Sequence, residues 1–160
     1  MANSFNVEII GLKPVTDLLR VLVRDMTTKG VMSRIGNYVM SSIKNRTADG
    51  VDVDMERFKK YTTGHSKVRA IKGLPTNVVD LFFHGTMMNA MTHEATDDRV
   101  VLYFLPTTGK DAKGKPSNVK SPAKAYYLNE DREFFAMSDK DKDGAQDMVI
   151  KELDNLLREK

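Results

Sequence analysis

Apolar positions fall into helical spacing twice near the start of the chain. Behind Pro14, which suits a first helical position, Leu18, Leu19, Leu22, Val23 and Met26 recur at three- and four-residue intervals and predict a helix to about Lys29. Gly30 marks its end or a bend. A second stripe, Val31, Ile35, Val39 and Ile43 with Met32 and Met40 beside it, predicts a helix ending near Asn45-Arg46, before the Asp49-Gly50 turn. The alternation is different in two other places. Asn6 to Ile10 reads as a short strand stopped by Gly11. Arg99 to Leu105, rich in β-branched and aromatic residues, predicts a strand that pairs with Met91 to Ala95 across Thr96-Asp97-Asp98. A last helix is predicted from about Asp143 to Arg158, with Asp143 as cap, Gln146 in capping-box position, and Val149, Leu153, Leu156 and Leu157 facing the core.

Periodicity fades between these elements. Thr63 to Ile71 has the length of a short helix, with Phe58 and Tyr61 as isolated anchors before it. Asn77 to Phe83 fits a short strand or a helix turn, and Thr86 is placed to cap a turn after Gly85. Pro106 to Pro122 is rich in Gly, Pro, Ser and Lys without apolar rhythm, which predicts a long mobile loop or arm. Ala123 to Leu128 is a short helix or strand, and Phe134-Phe135 are predicted buried. The fold class that results is α+β: a small, mainly antiparallel sheet packed with two N-terminal helices and a C-terminal helix. With 160 residues, one domain over 1–160 is expected, carrying the loop at about 106–122.

Composition narrows the function classes. At 41% hydrophobic and 29% charged residues the chain can bury a core and is not disordered as a whole. No apolar run approaches the about 20 residues of a membrane helix, and Met1 to Phe5 lacks the basic start and apolar run of a leader, so a cytosolic product is expected. Absence of Cys removes disulfides, thiol catalysis and zinc fingers. His65, His84 and His93 have no metal-ligand spacing, and no nucleophile elbow or phosphate loop occurs, so neither catalytic residues nor cofactors are expected. Asp139-Lys140-Asp141-Lys142-Asp143-Gly144 starts like a calcium loop. It lacks the closing Glu, because Ile150 stands at the twelfth position. A solvated acidic turn capping the last helix accounts for the same carboxylates.

Two basic segments carry the remaining signal. Arg57, Lys59, Lys60, Lys67, Arg69 and Lys72 follow one another without an intervening acid, and Lys110, Lys113, Lys115, Lys120 and Lys124 have only Asp111 among them. A solvated face is the ordinary reading. Contact with a phosphate backbone, as in a small nucleic-acid-binding module, or docking of a basic arm on an acidic neighbouring subunit, is the functional one.

The order of features along the chain resembles the virion morphogenesis, or tail-completion, proteins of tailed phages, including the Mu-like ones. The residues that carry the likeness are Val7 to Ile10 with Gly11-Leu12, Ile35-Gly36, Arg46, Asp49-Gly50 and Phe58, then Thr63 to Arg69, Asp80 to Met87, and Arg132-Glu133-Phe134-Phe135-Ala136-Met137-Ser138. His84 stands where the family usually has Thr, and the Lys-rich loop replaces a Tyr-Ala and Gly-containing segment. The resemblance implies a non-enzymatic structural role in tail completion and head–tail joining at the neck. It implies a homo-oligomeric ring, other neck and tail proteins as partners, DNA passing through a channel, no membrane, and residence in the virion after assembly in the host cytoplasm. Rings arise from head-to-tail contacts closed by rotation. On this reading the strands and the 106–122 arm form the interface, and Lys59, Lys60, Lys67, Arg69, Lys110, Lys113, Lys115 and Lys120 are the candidate interface or DNA-facing residues.

Overall fold

The computed structural model describes residues 6–9, 28–110 and 114–158. They form β1 (Asn6–Ile9), α1 (Thr28–Ala48), α2 (Thr63–Ile71), α3 (Thr86–Asn89), β2 (Met91–Ala95), β3 (Val100–Phe104), β4 (Thr108–Lys110), β5 (Pro116–Lys120), α4 (Ser121–Asp131) and α5 (Asp139–Arg158). The expected α+β class is the observed one: an antiparallel three-stranded sheet ordered β1-β3-β2, a separate β4-β5 hairpin, and helices packed on them. The helix expected from Pro14 lies outside the described residues, except that Thr28 and Lys29 belong to α1.

The predicted stripe of α1 is its buried face. Val31, Met32, Ile35, Val39 and Ile43 are all within 2% of full burial. Gly30 is the third residue of α1, and the helix expected to end or bend there lies outside the described residues. At Gly36 a Cβ would run into the His93 ring on β2, so the absent side chain is what lets α1 lie close on the sheet. The predicted β2–β3 hairpin forms with Met91 opposite Phe104 and Ala95 opposite Val100. Val100, Leu102 and Phe104 alternate inward. Phe104 meets Phe135 with ring centroids 4.7 Å apart, and the expected burial of Phe134 and Phe135 is observed at 0% and 1% exposure.

Two local expectations are overturned. The last helix begins at Asp139, a turn earlier than expected, because Ser138 rather than Asp143 caps it. Asp141 N donates to Ser138 Oγ at 3.1 Å and Ser138 N donates to Asp141 Oδ2 at 2.9 Å, a reciprocal capping box. The Asp139–Gly144 stretch is therefore helical and does not wrap around a cation. Residues 77–83 form neither strand nor helix turn, and Gly85, in a left-handed conformation with φ 73°, takes the cap position before α3 in place of Thr86. The 106–122 segment holds the β4–β5 hairpin and the first turn of α4, with Ser121 N donating to Thr107 O at 2.9 Å.

Two buried ion pairs tie these elements together. Arg46 near the end of α1 donates from Nη1 to Asp141 Oδ2 at 2.8 Å and from Nη2 to Phe134 O and Ala136 O at 3.2 and 2.7 Å. Ser42 donates to the other carboxylate oxygen of Asp141. Burial alone would raise the Asp141 pKa. The hydrogen bonds from Ser42, Ser138 and Arg46 offset it and hold the carboxyl below its usual range. The second pair, Arg69 with Asp80, belongs to the candidate site.

Candidate functional site

Helix α2 is capped by Thr62, whose Oγ1 accepts from His65 N at 3.3 Å, and its last turn carries Arg69. Arg69 is wholly buried. Its Nη2 donates to both oxygens of Asp80 at 2.9 and 3.0 Å, its Nε to Pro75 O at 2.7 Å, and its Nη1 to Phe82 O at 3.1 Å. The guanidinium also lies 4.6 Å from the Tyr61 ring centroid. Arg69 is thus removed from the DNA-facing candidates: it spends its donors on fastening the irregular 75–82 segment to α2. This anchorage, with Phe82 N donating to Asp80 Oδ1 at 3.0 Å, places the next residues, Phe83 and His84.

A row of rings results. Tyr61 and His65 have centroids 4.7 Å apart, His65 and Phe83 5.5 Å, and Phe83 and His84 4.7 Å in an edge-on arrangement at 88°. Burial lowers the His65 pKa, and the positive charges of Arg69 and Arg132 push it the same way, so its imidazole is neutral near pH 7. The Tyr61 pKa is raised by burial and by the Asp80 carboxylate.

Beside this row opens a groove of about 230 Å³ whose lining includes His65, Phe83, His84, Thr86, Lys110 of β4 and Lys124 of α4. Lys72 Nζ stands 5.7 Å from the Phe83 centroid. The hairpin approaches α3 closely here, because a Cβ at Gly109 would press on the Thr86 side chain. Gly109 and Ser117 are the half-buried positions of the hairpin, whereas Thr108, Lys110, Pro116, Asn118, Val119 and Lys120 are exposed.

Of the predicted basic residues, the fold brings Lys110 and Lys124 to this groove. It leaves Lys67, Lys115 and Lys120 exposed, and Lys113 lies outside the described residues. Lys59 and Lys60 are exposed elsewhere, near the C-terminal end of α4, where Arg132 Nη2 donates to Lys59 O at 3.3 Å. Sequence reasoning missed the joining of the two basic segments and the role of Phe83 and His84. The only local signal was the unusual density of rings in Phe82-Phe83-His84 just before Gly85. Among the described residues no group of acids and histidines could hold a metal ion, and no helix is long and apolar enough to cross a membrane. The chain matches no family model, no curated protein and no solved structure.

Proposed function

We propose that this chain is a structural protein of a tailed phage, acting in tail completion and head–tail joining at the neck by assembly into a ring with copies of itself. The order of sequence features set out above supports the reading. The structural observation that supports it is a basic hairpin at the N-terminal end of α4 and, at the C-terminal end, acidic side chains set among Arg132, Lys59 and Lys60. At the N-terminal end the hairpin carries the exposed Lys110 and Lys120, and Tyr127, 65% exposed, stands farther along the helix. At the C-terminal end stand Asp131 and Glu133, and Val53 N donates to Glu133 O at 3.0 Å, which brings Asp54, Glu56 and the 63% exposed Met55 to the same place. Eleven helical residues, about 16 Å, lie between the two ends, so one copy cannot pair its own hairpin with its own acids. A neighbour can. Such a contact is heterologous and closes as a ring if the rotation permits.

Light scattering of the full chain at low and moderate salt, followed by negative-stain imaging, tests this. A discrete oligomer with a central hole is expected, and Lys110→Glu with Lys120→Glu dissociates it, while added Asp54→Lys and Glu56→Lys restore it. Loss of the gene leaves unjoined heads and tails. Particles that mature normally without the chain overturn the reading.

A further inference from the structure

We propose that the groove between the His65–Phe83–His84 rings and Lys110–Lys124 binds a nucleotide unit of single-stranded nucleic acid. The inference goes beyond the assembly reading; both draw on Lys110 and Lys120, whereas Phe83, His84 and Lys124 belong to the groove alone.

Three properties of the groove converge on this ligand. Its rings are accessible: His84 is exposed, and His65 and Phe83 are half-buried. The edge-on angle of 88° between Phe83 and His84 makes a corner in which a planar base meets one ring face and one ring edge. Lys110 and Lys124 line the same groove, and among its lining residues there is no Asp or Glu, so the charge of the walls suits an anion. Lys120 of the hairpin, Lys67 of α2 and Lys72 just after it are exposed and extend the positive charge along the same elements. That continuation favours a strand over a free nucleotide, since stacking supplies base-tolerant affinity while lysines follow the phosphates. A duplex has its bases stacked away from such a corner and would touch only the lysines.

The test is fluorescence anisotropy of the full chain with a labelled oligothymidylate at 50 and 200 mM salt, using unlabelled duplex, thymidine monophosphate and a Tyr/Glu-rich peptide as competitors. Binding is expected, with displacement by unlabelled oligothymidylate and not by the others at equal phosphate or carboxylate concentration. Phe83→Leu keeps apolar volume but removes the ring and is expected to weaken binding about 5- to 100-fold. Because Phe83 is half-buried, His84→Ala provides a second, exposed truncation, and thermal melting confirms that both variants fold. Lys110→Gln with Lys124→Gln makes the salt slope shallower by about 1.4. Lys59→Gln with Lys60→Gln, at the far end of α4, changes nothing. Affinity indifferent to both ring variants, equal displacement by duplex or mononucleotide, displacement by the peptide alone, or no binding at 50 mM salt each overturns the proposal.

Discussion

Arg46–Asp141 and Arg69–Asp80 are chemically alike and structurally opposite. The first pair spans 95 positions of sequence, joins two long helices and the Phe134–Ala136 turn, and has both side chains nearly or fully sealed from water. The second spans 11 positions, and its carboxylate retains 16% exposure. Arg46 uses its two terminal nitrogens, whereas its Nε has no hydrogen-bond partner among the described residues. Arg69 uses all three. The difference teaches that burial of an arginine does not assign it a role: one ion pair fixes how the scaffold closes, and the other shapes the irregular segment behind the ring-lined groove.

The largest expected effect that separates them comes from Arg46→Met. It leaves Asp141 charged and sealed, and a loss of about 3–5 kcal/mol in urea unfolding is expected. Arg46→Met with Asp141→Leu recovers most of it; if it does not, the hydrogen bonds to Phe134 O and Ala136 O outweigh the stranded charge. Arg69→Met is expected to cost less, about 2–3 kcal/mol, because water reaches Asp80. Its mark is local: hydrogen exchange of residues 76–85 accelerates while α1 stays protected, and equal acceleration in α1 would erase the contrast. A third separation is by acid. A carboxyl whose folded pKa is depressed gives stability that is complete above its unfolded value, about 3.9, and is lost as pH falls through the folded value. Unfolding followed from pH 6 to 2 therefore loses stability at the acid end, and Asp141→Asn flattens that limb. The smallest effect is at Lys142, whose bond to Asp139 lies in open solvent; Lys142→Ala leaves the urea midpoint unchanged.

The same contrast explains how much was legible in the sequence. The α1 stripe and the β2–β3 hairpin were readable because burial on one face imposes a period, 3.6 for Val31 to Ile43 and 2 for Val100 to Phe104. The start of α5 was misplaced because several Asp residues compete for the cap, and the choice falls to Ser138 through a carboxylate already engaged by a distant arginine. The hairpin was hidden because its five-residue strand exposes all but one position and so has no apolar alternation to read. At the site, the run of basic residues was visible, but not that Arg69 turns inward while Lys67 stays outside. That is decided by Asp80 and by carbonyls of residues with no regular pattern.

The sheet order also carries a consequence for synthesis. Strand β1 pairs with β3, whose residues leave the ribosome 91 to 97 positions later, and Arg46 waits 95 positions for Asp141. Neither the first strand nor the first ion pair can therefore close until most of the chain has emerged. For that interval the apolar face of α1 stands without its sheet, which gives a nascent chain of this design its longest exposure to mispairing or to capture by chaperones.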